Sequence, residues 1–180
     1  MSKNTVIGFL DECSPQTTAN TQRLWSFERK PIIKNTSKIR ANTFGIYSPN
    51  GNSTLSFQIH SKKEDICKVL DGFANANPDK RIIVILDNFS SHRSKMVREF
   101  AEGNNISLVF LPPYSPDLNP IEQVWRAIKR EISKTFIRDY DHLVSIITEE
   151  FFDRIMKRSY ISRWAKKFLS PLYCSKMLCC

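Results

Sequence analysis

The stretch Arg81–Leu86, RIIVIL, constrains the fold more than any other: five apolar residues follow one another and run straight into Asp87. A strand with one face in water alternates apolar and polar residues. An unbroken run of Ile, Val and Leu reads instead as a strand covered on both faces, as in sheets whose parallel strands are joined by helical crossovers. A second run, Thr5–Leu10 (TVIGFL), meets a carboxylate in the same way at Asp11. Between the two, ANTFGIYS and STLSFQIH flank the turn residues PNGN and predict a β-hairpin. Ile66, Val69, Leu70 and Phe73 recur at helical spacing from Lys62 to a stop near Asn77-Pro78.

After RIIVIL, Ser91 is a candidate cap for a helix that turns Met96, Val97 and Phe100 inward and stops at Gly103. SLVFL predicts a fifth strand, and a proline-rich loop, PPYSPDLNP, leads into a helix starting near Pro120. Two more helical patterns span about 139–157 and 160–169, ahead of Pro171. Residues 12–40 read as loop, with Trp25 and Phe27 as anchors. The expected fold is α/β: a mixed five-stranded sheet with helices on both faces.

Charge is uneven along this order. Residues 21–40 carry +5 and residues 151–180 carry +6, leaving −2 for the other 130 residues out of a total of +9. Two basic flanks on a near-neutral centre suit a polyanion lying across one surface; ordinary solvated charge is the alternative. No run of eighteen apolar residues predicts a membrane span, and VIGFL is too short for a signal peptide. The five cysteines show no CxxC pair, which fits a reducing cytoplasm better than a disulfide framework.

The chemistry gathers where strands end. Functional groups in open α/β sheets collect at the carboxyl ends of the strands, and both Asp11 and Asp87 follow apolar strands. If the strands are neighbours, the two carboxylates converge, and their repulsion raises one pKa unless a cation neutralises them. Mg²⁺ suits such a site, because it takes oxygen ligands and keeps positions for water and phosphate. Alternatively, either aspartate merely opens a turn. Glu122 is the third candidate. It falls at the edge of the stripe Ile121, Val124, Trp125, Ile128 and Ile132, where a side chain reaches the rim of a sheet; alternatively, Asn119, Pro120 and Glu122 form the N-cap, N1 and N3 of a capping box.

FLDE at the end of the first strand, VILDNFSSH at the end of a later one, and LPPYSPDLNPIEQVWRAIK together resemble the catalytic domain of mariner-type DDE transposases, in their bacterial and archaeal insertion-sequence branch. The resemblance runs from about Val6 to Phe152, and the 34 residues between Asp87 and Glu122 match the family's spacing of its second and third acids. It implies an RNase H-like fold and a triad of Asp11, Asp87 and Glu122 holding two Mg²⁺ ions, with Mn²⁺ as a substitute. It implies cleavage of double-stranded DNA at the ends of a transposable element and strand transfer to a target.

Asn88 and His92 match the family's DN…H pattern and orient ligands or touch DNA in that reading. Asp117 and Asn119 belong to the proline-rich loop, where closure and capping are the expected roles. Arg29, Lys30 and Lys34 are candidate DNA contacts. Trp25 resembles an aromatic of the family's first loop, although SFERKP stands where a glycine is expected. In such transposases helix-turn-helix modules precede the first catalytic strand, and from the few residues before Val6 no counterpart is expected in this sequence. The expected organisation is therefore a catalytic domain over 1–155 and a basic helical tail over 156–180, with DNA reading either encoded separately or lost from a truncated product. A homodimer and a cytoplasmic, nucleoid-associated location accompany that reading. A stand-alone RNase H-like nuclease and a non-catalytic DNA-binding remnant are the competing readings.

Overall fold

The computed structural model describes residues 4–17, 33, 35–157 and 159–168. Trp25, Phe27, Arg29, Lys30, Lys34 and the cysteine-rich end lie outside the described residues. Five strands, β1 (Thr5–Cys13), β2 (Thr43–Tyr47), β3 (Thr54–Phe57), β4 (Arg81–Leu86) and β5 (Ile106–Phe110), form one sheet in the order β3-β2-β1-β4-β5. The hairpin strands β2 and β3 pair antiparallel with each other, and β2 pairs antiparallel with β1. On the other side β4 pairs parallel with β1, and β5 parallel with β4. The parallel half is connected through helices α1 (Lys63–Ala76) and α2 (Lys95–Gly103). The mixed sheet implied by the unbroken apolar runs is the one observed.

Alternation along β1 divides the core. Val6 and Leu10 face a cluster built with Ile66, Leu70 and Phe73 of α1 and Val97 of α2. Phe9 and Cys13 point the other way, into a cluster with α3 (Ile121–Lys134), α4 (Tyr140–Ile155) and α5 (Ser159–Phe168). The whole stripe Ile121, Val124, Trp125, Ile128 and Ile132 is buried there. A helix with one such stripe gains most of its stability from tertiary packing.

Three local expectations are corrected. The first strand does not end at Asp11 but runs to Cys13, because β2 continues to pair with it, Asp11 opposite Gly45. Ser94, not Ser91, caps α2 by accepting from the Val97 N–H. Met96 is exposed, since the cap's position turns Ala101 inward beside Val97, which is buried as expected.

The region expected as a basic tail contributes to the core. Trp164 of α5 is buried edge-on against Phe9, 5.3 Å between ring centroids, and its indole N–H donates to the Asp117 carbonyl at 3.2 Å. Among the described residues no helix is long and apolar enough to cross a membrane.

Candidate active site

The parallel register between β1 and β4 aligns the two aspartates. Phe9 pairs with Ile85, and two residues further along each chain stand Asp11 and Asp87. Side chains alternate along a strand, so Asp11 shares the face of Phe9 and Asp87 that of Ile85. Both of those apolar residues pack in the cluster beneath α3. The two carboxylates thus emerge side by side on the face that α3 covers.

Glu122 reaches them because α3 lies unusually close to the sheet. A Cβ on Gly45, the β2 partner of Asp11, would stand 2.8 Å from the Trp125 ring and 3.0 Å from Ile121. Only glycine leaves that space, which seats the first turn of α3 against the strand. The loop before the helix is pinned as well: the buried Asn119 side-chain amide donates to the Leu10 carbonyl at 3.1 Å. That bond directs the Asn119 side chain to β1, and α3 has no side-chain cap. The capping-box alternative for Glu122 is therefore excluded.

Asp11, Asp87 and Glu122 line one cleft of about 640 Å³. Asp11 is pushed up to about 7, first by burial, then by the neighbouring charge of Glu122 and, less strongly, Asp87. The Glu12 backbone N–H opposes the rise, as does, more weakly, the nearby Trp125 indole N–H, which is buried and makes no hydrogen bond of regular geometry. Asp87 is held below its ordinary value, chiefly by His92. The buried His92 ring places Nδ1 2.7 Å from the Asp87 carboxylate, and the Phe89 N–H donates to the same oxygen at 3.1 Å.

Carboxyl groups partly out of water and this near to one another disfavour the ionised form, and a cation among them relieves that penalty. In donor chemistry and mutual repulsion the three residues fit a hard divalent ion. Among the described residues, however, no three acidic, His or Cys side chains stand in ligating arrangement. The fold gathers the triad into one cleft without closing it into a preformed cage.

The secondary candidates divide. The Asn88 side-chain amide donates to the Leu111 carbonyl, tying the end of β4 to the start of the proline-rich loop, and His92 orients Asp87. Asn119 closes the loop onto β1. Asp117 serves through its carbonyl, which anchors Trp164. Sequence reasoning missed Phe89, Arg93 and Tyr114, which line the same cleft, and Arg126 of an adjoining groove that shares Pro116, Asn119 and Glu122 with it; Arg163 and Lys167, which also line that groove, fall in the basic flank 151–180 singled out for a polyanion. Arg93 follows His92 directly, so the motif pointed to its neighbourhood; the charge of the 151–180 flank marked the α5 side of the groove, and nothing local marks Arg126 of α3.

Known proteins share this architecture. The model of the DDE superfamily endonuclease family matches residues 6–144. An uncharacterized protein y4pE/y4sA of Sinorhizobium fredii is 38% identical over 64 residues, 35% of this chain and 45% of that protein. The transposable element Tcb2 transposase of Caenorhabditis briggsae is 31% identical over 70 residues, 38% of this chain and 26% of that one. A crystal structure of the mariner Mos1 paired end complex with Mg superimposes with a TM-score of 0.65 at 20% identity, covering 91% of this chain and 54% of the other. The matched segments span less than half of either curated relative.

Proposed function

The chain belongs to the DDE superfamily endonuclease family, and from that premise we propose that it is the catalytic domain of a transposase. In this reading it cleaves DNA at the ends of a transposable element and joins the freed 3′ end to a target. The observation that carries the reading is the convergence of Asp11, Asp87 and Glu122 on one open cleft, two from adjacent strands and one from the helix above them. The catalytic unit extends through α5, because Trp164 belongs to its core.

Asp11, Asp87 and Glu122 would hold two Mg²⁺ ions, for which Mn²⁺ substitutes. When bound, the ions supply a charged clamp on the phosphodiester that stabilises the attacking and leaving oxygens. The protein's own contribution is placement. His92 keeps the Asp87 carboxylate ionised and in one orientation, while the sheet fixes the spacing of the two aspartates. Gly45 and Asn119 bring Glu122 to the rim. Asp11 has to release its proton before it acts as a ligand. Double-stranded DNA is the proposed partner, which would associate the protein with the nucleoid.

The test is incubation of the full chain with supercoiled plasmid in Mg²⁺, in Mn²⁺ and in EDTA, scored for nicked circles. Nicking in both metals and none in EDTA is expected. Nicking that survives EDTA, or intact plasmid under all three conditions, overturns the reading.

The groove beside Glu122 adds a quantitative expectation. Arg126, Arg163 and Lys167 line it, it shares Glu122 with the carboxylate cleft, and Arg163 and Lys167 are exposed. If the DNA backbone follows this path, Arg163→Ala and Lys167→Ala each flatten the log–log salt dependence of binding by about 0.9 for every phosphate that the variant no longer neutralises. Filter binding between roughly 50 and 200 mM salt reads that slope.

A further inference from the structure

Beside its carboxylates the cleft is lined by Phe89, Leu111, three prolines and Tyr114, and one of these residues sits where few side chains go. Tyr114 is 102% exposed and has φ 57°. The other described non-glycine residues with positive φ are Asp79 and Asn105, types that adopt this conformation readily. A bulky aromatic does not, and a phenol ring fully in water gains nothing from burial. Both costs disappear with glycine at this position, so the ring serves something outside the fold.

Phe89 gives the cleft a second exposed aromatic, at 49%. Its position is fixed relative to the triad: its N–H bonds the Asp87 carboxylate, and its ring stands edge-on to His92 with 5.9 Å between centroids. The two aromatic rims are also fixed relative to each other. The Leu111 N–H donates to the Leu86 carbonyl at 2.8 Å and the Leu111 carbonyl accepts from Asn88, so the loop that carries Tyr114 leaves the sheet at a set place.

A cleft lined by carboxylates, Arg93 and two exposed aromatic side chains suits a ligand that has both a phosphate and a flat π-surface. Base pairs inside a duplex present edges and hide their faces; only a base that has left the stack offers one. Resting on the phosphodiester-cleaving reading above, we propose that the cleft takes a nucleotide with its base unstacked, that base lying on the Tyr114 ring, with Phe89 as a second aromatic of the same cleft. DNA whose end is frayed or single-stranded at the reacting position is then the preferred substrate form.

The test uses the full chain with Ca²⁺ as the oxygen-ligated cation and two DNA probes: a blunt duplex, and the same duplex with a three-nucleotide 3′ overhang carrying 2-aminopurine. Wild type is expected to favour the overhang by about 10-fold or more, within the range that stacking on one aromatic supplies, and to quench its fluorescence. Tyr114→Phe keeps both effects. Tyr114→Gly loses the quenching and brings the preference to within about 2-fold, while its melting temperature does not fall, because glycine relaxes the positive φ. A purely structural tyrosine predicts the reverse pattern: lowered stability and unchanged preference.

Equal binding of the two probes by wild type, or full preference and quenching in Tyr114→Gly, overturns this inference and leaves the plasmid-nicking result untouched. A chain that binds neither probe and nicks no plasmid overturns both readings.

Discussion

Asp11→Asn abolishes metal-dependent nicking and at the same time raises the melting temperature of the metal-free protein at neutral pH. The two effects have one cause. Burial and the charges of Glu122 and Asp87 push Asp11 up from 3.8 to about 7, so its ionised form is the unfavourable one in the native state. Between pH 4 and 7 the unfolded chain has released a proton that the folded chain still holds. Stability of the metal-free protein therefore falls as pH rises through that window and levels off above it. Asparagine carries no charge, so its advantage is absent near pH 4 and complete above pH 7, at most about 4 kcal/mol. Each kilocalorie moves the melting temperature by about 2–4 °C in a domain of this size.

Asp87→Asn also abolishes nicking but shifts stability the other way. Its carboxyl is held below the ordinary range by His92, so its ionised form contributes stability above its unfolded pKa and loses it as the pH falls. Replacing it weakens the contact with a buried imidazole whose other nitrogen is unpartnered. Thermal melts of wild type and both variants across pH 4–8, with and without Mg²⁺, separate these contributions. Mg²⁺ should stabilise wild type by mass action, more strongly as pH climbs past 7 and Asp11 gives up its proton, and should leave both variants nearly unchanged. Retained nicking in a folded Asp87→Asn chain would remove the triad assignment.

Gly45→Ala is the second large effect, and it acts on Glu122 through packing alone. The added methyl group would lie 2.8 Å from two atoms of the Trp125 ring. Trp125 is fully buried, stacked at a tilt on Phe151 with 5.8 Å between centroids, so it has no free direction in which to yield. Helix α3 must move outward instead. Overpacking of this kind costs about 1–3 kcal/mol, and the movement carries Glu122 away from Asp11. Mg²⁺ affinity, read by calorimetry, should fall together with nicking although no ligand has been altered. The overlap involves the benzo ring of the indole, which phenylalanine at 125 would shorten. Gly45→Ala/Trp125→Phe should therefore regain affinity beyond the sum of the single changes, a coupling of the kind expected for residues in contact. An additive double variant would show that Gly45 does not control the seating of α3.

The residues that spoke for themselves in the sequence are those whose energetics are local or periodic. RIIVIL could only be a doubly covered strand, since no polar side chain along its apolar run can face water. The stripe from Ile121 to Ile132 could only be a buried helical face. PNGN between two β-rich segments carried its own hairpin, and the spacing from Asp87 to the PPYSPDLNPIE block was legible as a motif because both halves lie close in the chain.

What tertiary structure decided are the contacts between elements far apart in sequence. Asp11 looked like a strand end because the apolar run stops there, yet β1 continues to Cys13; hydrogen bonding to β2 extends a strand regardless of its own side chains. That Asp11 and Asp87 share a face follows from the register of β1 against β4, set by which apolar side chains fill the two cores. Asn119 had the sequence position of a helix cap, but a buried carbonyl at Leu10 needs a donor, and that demand, invisible locally, directs its amide away from the helix. The same holds at the C-terminal end. A basic segment reads as solvent-facing by composition, but one tryptophan in it finds an apolar slot beside Phe9 and a carbonyl at Asp117, and those two contacts bring α5 into the wall of the groove beside the site. Local sequence states what each segment prefers; which preferences yield is determined by buried polar groups and apolar faces that have to find partners across the fold.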